Sequence, residues 1–314
     1  MSTDTGTGKY ERLLERCQTL EPVPTAVVHP CEETALAGAL EAGAKGLIVP
    51  ILVGPAARIE ELVRRIRVPF GAARIVDAPH SHAAAARAVE LVRRGEAELL
   101  MKGSLHTDEL LGAVVARETG LRTGRRISHV FLMDVPTYHK VLVVTDAAIN
   151  IAPALEDKVD ICQNAIDLAI SMGVMTPKVA ILAAVETVNS KMIATLDAAA
   201  LCKMAERGQI RGGVLDGPLA FDNAISRAAA VTKGITSDVA GDPDILLAPD
   251  LEAGNILAKQ LTFLANADSA GLVLGARVPI ILTSRADSVR ARIASCGVAM
   301  QVAHARRRTL AATA

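Results

Sequence analysis

Short apolar runs alternate with alanine- and arginine-rich segments of helical spacing through the first hundred residues, and this alternation does most to limit what the chain can fold into. The runs are Thr25-Ala-Val-Val28, Gly46-Leu-Ile-Val-Pro-Ile-Leu-Val53, Ala73-Arg-Ile-Val76 and Glu98-Leu-Leu-Met101, with segments such as Ser81 to Arg94 between them. The pattern predicts βαβ units on a mostly parallel sheet. The chain is 51% hydrophobic but only 2% aromatic, with no Trp, so Ala, Val, Ile and Leu must fill the core. Such residues suit helices packed closely on a parallel sheet.

The texture then changes. His129-Val-Phe-Leu-Met133 and Lys140-Val-Leu-Val-Val144 read as strands, separated by the turn-rich Asp134-Val-Pro-Thr-Tyr138. That connection is too short for a crossover helix, so the pair is expected to be antiparallel, at a sheet edge or a domain switch. From Pro153 the alternation resumes. Val159, Cys162, Ile166 and Ala169 form a helix stripe, Lys178–Leu182 a strand, and Ala194–Arg207 a helix stopped by Gly208. Strands follow at Gly213–Asp216, Asp244–Leu247 and Ala270–Leu274, and Val289–Arg308 reads as a closing helix.

Composition excludes several functions. The 34 basic residues balance 34 acidic ones, so no global field selects a polyanion. Few aromatics are available to stack nucleic-acid bases. Arg306-Arg307-Arg308 reads as a solvated helix end. The cysteines at 17, 31, 162, 202 and 296 form no C-x-x-C pair, which argues against a zinc or redox motif and fits reduced thiols. The histidines at 29, 80, 82, 106, 129, 139 and 304 make no spaced ligand set, so no metal site is expected. A polar N-terminus and the lack of a long apolar run predict a cytoplasmic protein with no membrane or nucleic-acid partner.

Polar residues concentrate where the apolar runs end, the place where ligands meet the sheet of an open α/β protein. Met101-Lys-Gly-Ser-Leu-His-Thr-Asp-Glu109 places a glycine turn before a helix that Thr107 can cap. Its backbone N–H groups, with Lys102 or Ser104, suit an anion, and ordinary capping fits as well. In Val144-Thr-Asp-Ala-Ala-Ile-Asn-Ile-Ala-Pro153, Asp146 and Asn150 follow a strand; a ligand contact and an Asx turn both fit. Leu215-Asp-Gly-Pro218 is turn chemistry placed to line a cleft. In Ala248–Lys259, Asn255 and Lys259 share a helix face suited to an anion. Finally, Pro279-Ile-Ile-Leu-Thr-Ser-Arg-Ala-Asp-Ser288 ends an apolar run in a small hydroxyl and a forked guanidinium suited to phosphate or carboxylate. Thr283, Ser284 and Asp287 are also natural helix-start residues.

Together these stretches resemble the phosphate acetyltransferase/phosphate butyryltransferase family. Met101–Ser104, Thr145–Pro153, Leu215–Pro218, Pro249–Asn255 and Thr283–Ser288 match in order, from about residue 20 onward. Leu121-Arg-Thr-Gly-Arg-Arg-Ile-Ser128 looks more like the butyryltransferase side. The chain resembles the transferase portion of bifunctional enoyl-CoA hydratase/phosphate acetyltransferase proteins, and it is expected to carry that portion alone, the stretch before residue 20 being too short for a hydratase domain.

The resemblance implies a two-domain α/β fold, isocitrate/isopropylmalate-dehydrogenase-like, with mostly parallel sheets and an interdomain cleft. Residues 1–135 with 275–314 would form the first domain, and 136–274 the second, which would carry the interface of a homodimer. The implied reaction converts acyl-CoA and phosphate to acyl phosphate and CoA. It uses short acyl groups such as acetyl or butyryl, by direct transfer in a ternary complex. Coenzyme A is then a substrate, and no tightly bound cofactor is implied.

That chemistry needs a base for a thiol whose ordinary pKa is ~8.5, cations or N–H groups for phosphate, and a donor for the oxyanion. By the resemblance, Ser284 aids the thiol or oxyanion and Arg285 binds the phosphoryl group. Ser104, Asp146, Asp216, Asn255 and Lys259 extend the substrate site. The family's acetyltransferases place an aspartate, implicated as base, seven residues after the serine; here that position is Ala291. Asp287 is the nearest acid, and Asp146 and Asp216 are alternatives. An arginine that acetyltransferases carry after the Met101–Ser104 equivalent has no clear match, leaving Arg122, Arg125 and Arg126. The missing aspartate motivates a second reading, a catalytically impaired CoA-binding scaffold partnering an enoyl-CoA hydratase. A nicotinamide-dependent dehydrogenase is disfavoured, because neither an acidic metal cluster nor a Gly-x-Gly-x-x-Gly after the first strand is present.

Overall fold

The structure is a computed structural model and describes residues 8–283 and 287–313. In chain order the first elements are α1 (Lys9–Cys17), β1 (Val23–Val28), α2 (Glu33–Ala44), β2 (Ile48–Gly54), α3 (Ala56–Arg65), β3 (Arg74–Asp77), α4 (Ser81–Arg93), β4 (Leu99–Lys102) and α5 (Thr107–Val114). Next come β5 (Ser128–Asp134), β6 (Leu142–Thr145), α6 (Leu155–Ser171), β7 (Lys178–Leu182), α7 (Ile193–Glu206), β8 (Val214–Leu219), α8 (Phe221–Ile225), α9 (Arg227–Thr232), β9 (Ile245–Leu247) and α10 (Leu251–Leu264). The chain ends with β10 (Asp268–Leu274), β11 (Ile280–Ile281) and α11 (Val289–Thr313).

The chain divides into two compact units, Met1–Arg125 with Ala270–Ala314, and Arg126–Ser269. The boundaries lie before the positions 135 and 274 read from the sequence. β5, counted there with the first domain, falls in the second unit, where its residues Val130–Met133 pair with β6.

In the first unit the strands run in the order β3-β2-β1-β4-β11-β10. Every pair is parallel except β10 with β11. The central strands are covered on both faces, which is why they read as continuous apolar runs. Alanines 84, 85 and 88 bring α4 close to the sheet, all three being fully buried. Residues 291–300 of α11 are buried all round, as expected of a helix inside a layer rather than on its surface. The apolar run at 279–282 contributes only Ile280–Ile281 to the sheet, a shorter strand than its composition suggests.

In the second unit the order is β5-β6-β9-β7-β8, with β5–β6 antiparallel as its short connector requires and the other pairs parallel. Met133, Val144, Ala180, Leu219 and Leu246 meet in its core. At the amino ends of these strands Lys140 and Lys178 pair with Asp242, and Lys140 also with Asp244. The Tyr138 hydroxyl donates to the Pro243 carbonyl at 2.7 Å. That end is closed by structural contacts, and the candidate residues lie at the opposite, carboxyl ends.

Candidate active site

In the first unit three adjacent parallel strands deliver candidate segments side by side. Val28 pairs with Lys102, and Met101 with Ile281. The chain therefore leaves β1 at His29, β4 at Gly103 and β11 at Leu282–Thr283 along one sheet edge. Gly103 is required by close approach: a Cβ there would stand 2.3 Å from the Val28 carbonyl. The Gly103 and Ser104 N–H groups donate to the carbonyls of Val28 (2.9 Å) and His29 (3.0 Å). Two of the N–H groups of this turn thus stitch β4 to the end of β1.

Ser104 is used in the same way. Its hydroxyl donates to the His29 carbonyl at 2.7 Å and accepts the Cys31 N–H at 3.0 Å. The His29 ring Nδ1 lies 3.5 Å from it. Thr107 does not cap α5; His106 occupies that position and Thr107 is the first helical residue.

Ser284 and Arg285 lie outside the described residues. Their neighbours are placed. Thr283 is buried beside Arg292 of α11, whose guanidinium approaches its hydroxyl at 3.5 Å. The Arg292 stem packs on Gly38, where a Cβ would come within 2.9 Å. Ser288, rather than Asp287, caps α11, its hydroxyl accepting the Ala291 N–H at 3.1 Å. Asp287 is half-buried just before that cap. Ala291 is buried.

In the second unit β6 and β9 end together, Thr145 beside Leu247. The buried Asp146 follows. Its Oδ1 accepts the N–H groups of Ala148 (2.9 Å) and Ile149 (3.1 Å). Its Oδ2 accepts the Asn150 N–H (3.1 Å) and side-chain amide (2.5 Å). Four donors occupy the roughly four acceptor positions a carboxylate offers. Asp146 therefore holds the 146–150 turn, which is the Asx-turn alternative read from the sequence. Asn150 in turn accepts from Arg126 Nε at 2.7 Å, and Arg126 also pairs with Asp157 at 3.1 Å. Of the three arginines weighed from the sequence, Arg126 is the one joined to this turn.

α10 completes the group. Asp250 caps it by accepting the Ala253 N–H at 2.8 Å. Asn255 donates to the Ala147 carbonyl at 2.9 Å, tying the helix to the turn, and Lys259 stands exposed one turn further on. Asp216 is not part of this group. It lies in edge strand β8, level with Ala180 and hence with Val144, three strand spacings from β6. That is roughly 14 Å. Its Oδ1 accepts the Gly217 N–H at 2.9 Å.

Two histidines escaped the sequence reading. His29 follows an apolar strand, the same signal that selected Ser104, and has a left-handed φ of 52°. His129 is buried in β5 near Asp146, with Nδ1 lacking a partner, and burial lowers its pKa to about 4. No surface signal marks a buried strand histidine. Burial also pushes the thiols of Cys162, Cys202 and Cys296 up to about 12, and those of Cys17 and Cys31 upward. All stay protonated at neutral pH, which disfavours an acyl-cysteine intermediate. Among the described residues no cluster of metal-ligating side chains occurs, and no helix is long and apolar enough to cross a membrane.

Residues 80–300 match the family model described as "Phosphate acetyl/butaryl transferase". The chain is 64% identical over 299 residues to a phosphate acetyltransferase from Rhizobium meliloti, covering 95% of each chain. It is 42% identical over 294 residues to a phosphate butyryltransferase from Clostridium beijerinckii (94% of this chain, 97% of the relative). A branched-chain phosphotransacylase from Enterococcus faecalis V583 superposes with a TM-score of 0.78 at 29% identity, covering 90% of this chain and 99% of that one. Fold and relatives together define an acyltransferase enzyme on an α/β scaffold. The chain belongs to the phosphate acetyl/butaryl transferase family, and the scaffold alternative is not favoured.

Proposed function

We propose that the chain transfers a short acyl group, acetyl to butyryl, between coenzyme A and inorganic phosphate, with both substrates bound at once. The near full-length similarity to acetyl- and butyryl-transferring relatives carries this reading. Arg285 is proposed to hold the phosphoryl group and Ser284 to donate to the oxyanion or thiol, where charge develops in the transition state. Asp287 stays an acid near the reacting groups. Lys259 of α10 offers a charge for the anionic parts of CoA, with Asn255 positioning the helix. Asp216 is left at the periphery.

The enzyme is proposed to work in the cytoplasm as a homodimer joined through the second unit, where Ile193, Phe263 and Leu264 are exposed. Sedimentation of the full chain tests the assembly. The activity is tested by incubating the protein with acetyl-, propionyl- and butyryl-CoA and following free thiol. Release that depends on phosphate is expected with at least one of them; no phosphate dependence with any would overturn the reading.

A further inference from the structure

Asp287 aside, the sequence offers few acceptors for the proton of the CoA thiol. Ala291 carries a methyl group, Asp146 is filled by four N–H donors, and Asp216 lies about three strand spacings from the Asp146 turn. At the shared ends of β1, β4 and β11 stands His29, and three observations single it out. Its backbone is left-handed, φ 52°, a conformation few non-glycine side chains adopt. Such geometry persists only where the surroundings over-determine it, often at functional sites. Its carbonyl is gripped by three donors: the Cys31 N–H at 2.8 Å, the Ser104 N–H at 3.0 Å and the Ser104 hydroxyl at 2.7 Å. Its Nδ1 faces the Ser104 hydroxyl at 3.5 Å, and with the proton on Nδ1 the basic nitrogen of the ring is Nε2.

The half-buried ring is faced by Arg58 of α3, Glu109 of α5, Glu32 just before α2 and His80 at the start of α4. Burial and the Arg58 charge outweigh the two acids and hold the ring below its ordinary pKa of 6.5. At neutral pH it therefore carries a lone pair able to take a proton.

We propose that His29, oriented through Ser104, is the base that accepts the thiol proton of coenzyme A. This rests on the acyl-transfer reading above. As CoA attacks an acyl phosphate, the S–H bond breaks and its proton moves to Nε2. The sulfur electron pair forms the bond to the acyl carbon. The bond from that carbon to the phosphoryl oxygen breaks, and phosphate leaves with the pair. The imidazolium then gives its proton to the departing phosphate or to water. In the opposite direction the same proton returns to the leaving thiolate.

The test uses the full chain, acyl phosphate and CoA, with thioester formation as readout. A wild-type protein with no turnover overturns the acyl-transfer reading itself. Given turnover, His29→Asn is the informative variant, because asparagine tolerates left-handed backbone and should leave the melting temperature unchanged. Its kcat should fall ~10²–10⁴-fold with the KM for CoA little changed. The wild-type kcat/KM for CoA should rise with pH to a plateau through a pKa below 6.5. The variant's should instead keep rising toward the thiol value of ~8.5. His29→Gly should regain activity on adding imidazole. An unchanged kcat in His29→Asn overturns the proposal. So does a reduced kcat that keeps the wild-type pH profile, with no imidazole rescue of His29→Gly, because a purely structural role predicts that result.

Discussion

Gly254 of α10 lies directly against the backbone of Asp146: a Cβ on Gly254 would stand 2.2 Å from the Asp146 carbonyl oxygen. The contact is between backbones, so neither partner can swing aside. The helix carrying Asn255 and Lys259 is thereby registered on the turn that Asp146 holds. Gly254→Ala should push α10 outward, cost about 1–3 kcal/mol of stability, and lower kcat/KM by more than a thermal shift alone would explain. Melting curves and steady-state kinetics on one preparation check this.

Asp146→Asn keeps the shape of the side chain but sets an NH2 group among N–H donors. Hydrogen bonds to a charged acceptor contribute about 1.5–3 kcal/mol each, so the turn should open and the unfolding midpoint in urea should fall sharply. A wild-type midpoint would show that Asp146 is replaceable in the turn.

The buried His129 makes the second unit acid-sensitive. Its folded pKa of about 4 lies below the ordinary 6.5. Between those values the unfolded chain binds a proton that the folded ring refuses, so stability is full above pH 6.5 and is lost as pH falls toward 4. The loss amounts to about 3 kcal/mol once pH is below 4. His129→Leu should flatten this part of the stability–pH curve, measured by urea unfolding from pH 7 to 4.

Arg285→Ala should raise the KM for phosphate or acyl phosphate and lower kcat, together costing roughly 10²–10³ in kcat/KM. Unchanged kinetics would remove Arg285 from the phosphate site.

Lys158 of α6 and Asp197 of α7 pair at 2.6 Å with side chains only 6% and 15% exposed. Asp197→Ala should strand the buried ammonium and cost about 3–5 kcal/mol, whereas Lys158→Met with Asp197→Leu should cost much less. A double-mutant cycle by denaturant unfolding measures the difference.

Much of the fold was legible because parallel strands covered on both faces must be apolar throughout, as at Val23–Val28 and Leu99–Lys102. The antiparallel β5–β6 pair was legible from the length of its connector. The brevity of β11 was not, because Pro279–Leu282 is as apolar as a longer strand and only its neighbours decide how much of it pairs. Unit membership of β5 was also hidden, since pairing partners, not texture, determine it.

Within the candidate site, the sequence by itself determined where polar groups would gather, because a strand's end is where apolar residues stop. It also determined that Ala291 cannot act as a base, since a methyl group takes no proton. Only the tertiary structure decided what those polar groups do. Ser104 stood out for its chemistry, yet the His29 carbonyl and the Cys31 N–H, brought from the end of β1, satisfy it, while Asp146 is satisfied by the N–H groups of its own turn. His29 gained its place from the carbonyl grip of a residue 75 positions away. A side chain's capacity for hydrogen bonds is local, but which partner fills it depends on which strand ends the sheet sets side by side.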